Sequence, residues 1–395
     1  MQSFNLKVSA EQKLIASLLE LKLFKDPHIQ RLISAYPAIL PERASEAIRE
    51  IMSEIWPKTD NNLFPVFEKF EYFLFASGKR GHFVHQFEVF LLGLSCISVL
   101  TKKSGKVKDI FHFEELDMVI ETWLITSTTH DFGYPMQVAS TITGKLSILY
   151  KDFDMLALAD KFGSIALKNL IQKETELLNL LFSKKNKFLL EKLDITEIVA
   201  DSITNTLKID KEQVTLLIHE FTENENHGYV GSLILCRLLL KRLITQHEDY
   251  DKLINSSNFK SLKFALGAIA LHALPSDKED IVKEISFDKN PFAFLLFVID
   301  NLQEWSRPII DNDNKDWPIY NLRNFSSSND NITLEYVLSH DNWSNATTQL
   351  VMESHNKKRK LLDTLKKPST VVGVSFNTIF KKVSGEKIDA FEIVF

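Results

Sequence analysis

The stretch PFAFLLFVIDNLQEWSRP (residues 291–308) is among the most apolar runs of the chain, yet it carries a carboxylate at its centre. Asn290 has the chemistry of a helix N-cap and Pro291 that of a first helical residue, so a buried helix is expected from Pro291 to about Trp305, with Pro308 closing it. Asp300, preceded by Leu295-Leu296-Phe297-Val298-Ile299, costs several kcal/mol to bury as a bare carboxylate unless something neutralises it. Upstream lie a His130-Asp131 pair and isolated histidines at His85, His227 and His272, each within or at the edge of a run rich in leucine, isoleucine, valine or phenylalanine. Imidazoles and carboxylates are ligands of divalent metals. The order His…His-Asp…His…His…Asp therefore points to one or two metal ions inside a helical bundle.

The bulk numbers suit such a bundle. The chain has 395 residues, 45% hydrophobic and 25% charged, enough for two or three domains and a sizeable core. Twelve glycines and eleven prolines are few for this length, which favours helices, and 29 phenylalanines read as core filling. A net charge of −5 exerts no general pull on nucleic acid or anionic membrane. Cys96 and Cys236 both sit in apolar helical runs, which fits a reducing cytoplasm rather than a disulfide framework. The start MQSFNLKVSAEQKL lacks the pattern of a signal peptide. No run of roughly 18 uncharged apolar residues stands out, so no membrane span is expected and a cytoplasmic protein is.

Outward from residues 291–308, the chain divides into three parts. Residues 1–78 read as a helical cap: a helix begun at Ser9 in SAEQKLIASLLELKLF and another begun at Pro41 in PERASEAIREIMSEIW. Residues 79–308 form the main helical domain, with buried helices over about 82–100, FEELDMVIETWLITSTTHDFGYP, HGYVGSLILCRLLLKRLITQ and FKSLKFALGAIALHAL. Residues 136–215, rich in lysine and without a candidate ligand, read as an insertion or lid. A polar linker runs to about Asn331. Residues 330–395 then alternate β-branched and aromatic residues in ITLEYVL, STVVGVSFNTIF and DAFEIVF around a helix near 345–366, a small α+β appendage. The fold class is mainly α.

The dyad at a helix end can direct an imidazole and a carboxylate to one place, and the carboxylate can bridge two ions. His85 can approach from a neighbouring helix and Asp300 can close a first site. His227, beginning a helix, and His272, ending one, can reach a second ion. His82 competes with His85, since residues three apart share a helix face; His85 is preferred, with His82 a supporting donor or substrate contact. His28, His112, His219, His247, His340 and His355 lie in polar surroundings and read as surface residues.

His85 with Val89, the His130-Asp131 dyad and Asp300 resemble the HD-domain superfamily of metal-dependent phosphohydrolases, over about residues 79–308. The added His227 and His272 resemble its six-ligand, two-metal subset. That resemblance implies His85, His130, Asp131 and Asp300 on one divalent ion and His227, His272 and a bridging Asp131 on the other, the metal being Mn, Mg, Fe or Zn. Phe132-Gly133-Tyr134-Pro135 follows the dyad where many such hydrolases have Gly-Lys, so the usual cationic helper is missing, and the GYP letters match a related motif only by accident.

The resemblance implies hydrolysis of a phosphate ester, a nucleotide or related small molecule, by a metal-activated water, with His130 and Asp131 at the chemistry. Arg307, Arg80, Lys79 and His82 flank the ligands and are candidate phosphate contacts, although a helix-end cation is more often simply solvated. Two other readings keep the same core: a di-iron oxygenase of the same fold, or a nucleotide-sensing regulatory module. The basic run KKRKLLDTLKK in the C-terminal part reads as a solvated helix face, so neither nucleic acid nor membrane is an expected partner. The oligomeric state stays open.

Overall fold

The computed structural model describes residues 9–36, 43–58, 64, 80–134, 193–207, 209–224, 226–246, 249–275, 277–303, 319–339, 345–365 and 372–395. Helix α1 (Ala10–Leu18) starts from a reciprocal capping box between Ser9 and Gln12. Asp26 caps α2 (Pro27–Ala35), and α3 (Ala44–Ile55) begins three residues later than Pro41, which lies outside the described residues. The long α4 (Arg80–Ser104) is followed by a short α5 (Val107–Phe111) and by α6 (Leu116–Thr129). After the undescribed stretch come α7 (Ile195–Thr206), α8 (Lys211–Glu223), α9 (His227–Gln246), α10 (Tyr250–Ile254), α11 (Ser257–His272), α12 (Glu279–Val282) and α13 (Pro291–Leu302).

The bundle is built around α11, buried from Ala265 to His272 and packed against α6, α7, α9 and α13. Because α11 is enclosed by helices on several sides, its sequence FALGAIALH has no polar stripe. Helix α4 lies against α6 and α13 and is covered from outside by α1 and α3. Val84–Ser104, which carries Glu88, is long and apolar enough by length and composition to cross a membrane, and 89% of its apolar window is buried inside the protein, as in the core helix of a bundle. Phenylalanines fill the contacts, as Phe111, Phe113 and Phe264 do around Phe292, with ring centroids 5.6–6.2 Å apart.

Asn290 caps α13 as its sequence requires: Oδ1 accepts from the backbone N–H groups of Phe292 and Ala293. Its Nδ2 does more, donating to Thr206 Oγ1 at 3.0 Å and Phe264 O at 2.9 Å, which ties the start of α13 to α7 and α11. The helix stops at Leu302, short of Trp305, with Gln303 as its C-cap. Residues 136–192 lie outside the described residues, but α7, read as part of an insertion, is a bundle helix packed on α11.

The C-terminal part is a four-stranded sheet, β1 (Tyr320–Ser327), β2 (Asn331–Leu338), β3 (Ser375–Lys381) and β4 (Lys387–Val394), in spatial order β1-β2-β3-β4. The two hairpins are antiparallel, whereas β2 and β3 run parallel. Parallel neighbours need a crossover, and helix α14 (Asn345–Thr364) supplies it. Strand β1 was expected to be linker. Its alternation is hidden by an irregularity between Leu322 and Asn324, which puts the buried residues at Tyr320, Leu322 and Phe325. The sheet is not remote: α1 packs on β1, and Tyr336 Oη donates to Leu302 O at 2.9 Å.

Two histidines read as surface residues are not. His112 is half-buried with Nε2 2.9 Å from Asp288 O. His355 on α14 is 3% exposed, with Tyr320 Oη 2.5 Å from its Nε2 and Asp389 Oδ2 3.4 Å from its Nδ1. His28 and His219 are exposed; His247 and His340 lie outside the described residues.

Two predictions follow from these contacts. Asn290→Ala removes a cap worth about 1 kcal/mol and leaves partners of a buried amide unsatisfied at about 1–3 kcal/mol, so urea unfolding should show a loss of about 2–4 kcal/mol. An unchanged midpoint would remove Asn290 from the framework. Burial of His355 lowers its pKa from 6.5 against the opposing pull of Asp389, with Arg359 adding to the lowering. A lowered folded pKa means the unfolded chain binds more protons below 6.5, so this contribution to stability is present above that pH and lost as pH falls towards the folded value. His355→Gln should therefore flatten part of the stability loss between pH 7 and pH 5, measured by denaturant melts at each pH.

Candidate metal centre

The six residues picked out by the sequence sit at or near helix ends that meet at one pole of the bundle. His130 is the C-cap of α6, and Asp131 follows in a turn held by Phe132 N to Thr129 O and Tyr134 N to Asp131 O. His272 ends α11 and Asp300 lies in the last turn of α13. His227 opens α9, and His85 stands near the start of α4. Two carboxylates make this pole a place for a cation, an effect that the partial negative ends of α6, α11 and α13 strengthen and the partial positive start of α9 opposes.

Glycine permits the approach. A Cβ on Gly133, just past the dyad, would lie 1.9 Å from His227 O; one on Gly228 would lie 2.5 Å from Ile269 O. Only without those carbons can the start of α9 close onto both the dyad turn and the end of α11. Gly133, dismissed in sequence as part of an accidental match, thus has a structural reason.

Asp131, 5% exposed, is the hub. Its Oδ1 lies 3.6 Å from His227 Nε2 and 3.5 Å from His272 Nε2, and its Oδ2 lies 3.5 Å from His130 Nε2. On the other side His130 Nε2 is 3.7 Å from Asp300 Oδ1, which is 2.7 Å from His85 Nε2. Two donors about 2.1 Å from a common ion at near-tetrahedral angles lie about 3.4 Å apart, so most of these separations suit ligands that share one. Donor atoms of His85, His130 and Asp300 lie within 4.8 Å of one another, and so do those of His130, Asp131 and His272. Asp300 and His227 each keep 20% side-chain exposure, marking the side that meets solvent.

The outward-facing nitrogens settle the tautomers. His130 Nδ1 is 2.7 Å from Ser127 O and His272 Nδ1 is 2.7 Å from Ile269 O. A carbonyl only accepts, so each Nδ1 carries a proton and each Nε2 faces the pole, as a lone pair where the ring is neutral. Both Nε2 atoms are buried without a hydrogen-bond partner. Lone pairs converging on carboxylates, with no proton between, are unfavourable unless a cation lies among them. The donor set fits a divalent metal.

The electrostatics agree at His130, His227 and Asp300. Burial pushes His130 below its ordinary value despite Asp131 and Asp300. Burial, aided by neighbouring His272, pushes His227 down to about 4. Burial alone would raise Asp300, but His85, bonded to it, and the fields of His130 and His272 outweigh that and hold its carboxyl well below the usual range. At His272 the downward pull of burial is overcome by Asp131, so its pKa is raised. Neutral imidazoles at His130 and His227 beside ionised carboxylates are the protonation states a metal requires.

The side chains of Arg80 and His82, and all of Lys79 and Arg307, lie outside the described residues. Among described cations, Lys358 of α14 approaches this pole, donating to Asn301 O at 3.0 Å. Its neighbours in the basic run are also engaged, Arg359 with Asp389 and Lys360 with Glu279, so the run is not the freely solvated face expected of it. Sequence reading also missed Glu88 and Gln303, both buried and joined to His85 through hydrogen bonds. The only sequence signal was a polar residue at the edge of each apolar run.

Divalent cation should stabilise the fold. At a concentration about 100 times its dissociation constant the gain is about 2.7 kcal/mol, a rise in melting temperature that EDTA reverses. Thermal melts with Mn, Mg, Fe or Zn that never move would dismiss the metal.

No protein-family profile, curated protein or solved structure matches this chain, so its site stands on its own geometry.

Proposed function

We propose that this chain is an HD-type, divalent-metal-dependent phosphohydrolase acting on a small phosphate ester, a nucleotide or its close relative. The observation that carries the reading is Asp131 set between the Nε2 atoms of His130, His227 and His272, two of which are buried with no other partner. In this reading His85, His130, Asp131 and Asp300 hold one ion, and Asp131, His227 and His272 hold a second. Ions held there supply Lewis acidity toward a phosphoryl oxygen and toward an attacking water.

The protein's own part is to orient and to exclude. The carbonyls of Ser127 and Ile269 keep two imidazoles in one tautomer, so no ring must turn or exchange a proton as substrate arrives. The apolar walls of α11 and α13 keep bulk water from the buried side, leaving the partly exposed Asp300 and His227 to face the ester. Arg307, Arg80 and His82 remain the proposed phosphate contacts. A nucleic-acid partner is disfavoured by the internal pairing of Lys358, Arg359 and Lys360. Buried Cys96 and Cys236 accord with a cytoplasmic setting.

The test is a screen of Mn-loaded protein against nucleotides, cyclic nucleotides and cyclic dinucleotides, followed on any hit by Asp131→Asn. The substitution keeps shape but removes the central charge, so turnover should fall by at least about 10³-fold while the circular dichroism spectrum persists. An Asp131→Asn protein with wild-type turnover and metal content would end the proposal.

A further inference from the structure

His85 differs from the other ligands in how its tautomer is set. For His130 and His272 the acceptor is a main-chain carbonyl three residues back, which no substitution alters. For His85 it is a side chain 218 residues away: Nδ1 is hydrogen-bonded to Gln303 Oε1. An amide can present either end, and what decides here is Glu88. Its carboxylate can only accept, and Gln303 Nε2 donates to Glu88 Oε2 at 2.8 Å. With the NH₂ end committed to Glu88, the carbonyl end must face His85, so His85 Nδ1 carries a proton; Nε2, 2.7 Å from Asp300 Oδ1, carries another until a cation takes its place beside that carboxylate. Glu88 and Gln303 are 4% and 0% exposed, so water does not offer a substitute.

The regions flanking the bundle hold this relay in place. Tyr36, the C-cap of α2, donates from Oη to Glu88 Oε1 at 3.5 Å. Tyr336 of β2 anchors the carbonyl of Leu302, the residue before Gln303. Thus the helical cap touches one end of the relay and the C-terminal sheet the other.

We propose that Glu88 and Gln303 are positioning residues for the metal centre: Glu88 orients the Gln303 amide, which keeps a proton on His85 Nδ1 so that Nε2, beside Asp300, is the nitrogen that ligates. The inference rests on the metal-dependent reading above. It assigns the N-terminal cap and the C-terminal sheet a shared task, holding the two ends of a relay that neither could hold alone.

The experiment compares wild type, Glu88→Gln, Gln303→Glu and the swap Glu88→Gln/Gln303→Glu, each titrated with Mn²⁺ after chelation. Histidine ¹⁵N NMR of the metal-free proteins reports whether His85 Nδ1 carries a proton. In Glu88→Gln the Gln303 amide is free to turn its NH₂ toward His85, so Mn²⁺ affinity should fall about 10–100-fold and His85 Nδ1 should lose its proton. Gln303→Glu buries two facing carboxylates and should also bind more weakly. The swap puts a carboxylate against His85 Nδ1 with an amide donor behind it, which restores the tautomer, and affinity should return to within about threefold of wild type. Wild-type affinity and an unmoved proton in Glu88→Gln would overturn the proposal. So would a folded swap protein that binds no better than Glu88→Gln; the swap conserves charge and composition, so it carries the test even where a single variant fails to fold. Failure of wild type to take up any divalent ion would instead sink the metal reading, while the NMR arm would still decide the tautomer.

Discussion

Two carboxylates held among four imidazoles, at a pole where helix C-termini converge, are the constraint on which this protein turns. Left alone, Asp131 and Asp300 would repel each other and the carbonyl ends of α6, α11 and α13 would add to the repulsion. The imidazoles relieve only part of it, because burial holds His130 and His227 in their neutral forms. The apolar bundle therefore supports an arrangement of buried charge that works against its own stability. Such tension is usual where a scaffold is shaped for chemistry rather than for folding alone.

The bundle tolerates that tension because its core is independent of the site. Helix α11 is enclosed by α6, α7, α9 and α13 over its apolar length and reaches the pole only with its last residue, His272. Asn290 locks the opposite end of α13 to α7 and α11, so Asp300 is presented by a helix fixed at its far terminus. Rigid elements with functional groups at their ends place side chains more accurately than loops do. The close passage of α9 past Gly133 extends this logic, since it brings His227 to the dyad by main-chain packing rather than by a long side chain.

Much of this was legible in the chain. Asn290-Pro291 announces a helix start, and the apolar run after it makes Asp300 conspicuous because a carboxylate there needs a partner. The dyad and the three lone histidines stand out for the same reason, and the mainly α class follows from sparse glycine and proline with helical spacing of apolar residues. Errors fell where a local pattern was weak or ambiguous. Strand β1 carries an irregularity that breaks its alternation, and α7 looked peripheral because its amphipathic sequence does not say which helix it faces. His355 sits among asparagines and lysines in the chain, yet α14 turns it inward toward Tyr320 and Asp389.

The sequence by itself determined the inventory: which residues are costly to bury, where helices start, and which side chains can ligate. Those are properties of single residues and their near neighbours. Only the tertiary structure decided that Asp131 stands between three imidazoles, that Ser127 and Ile269 carbonyls fix two tautomers, and that Glu88 and Gln303 fix a third. A tautomer depends on which acceptor faces a ring nitrogen. For His85 that acceptor lies 218 residues away, and no local pattern encodes a contact made only when α4 and α13 pack side by side.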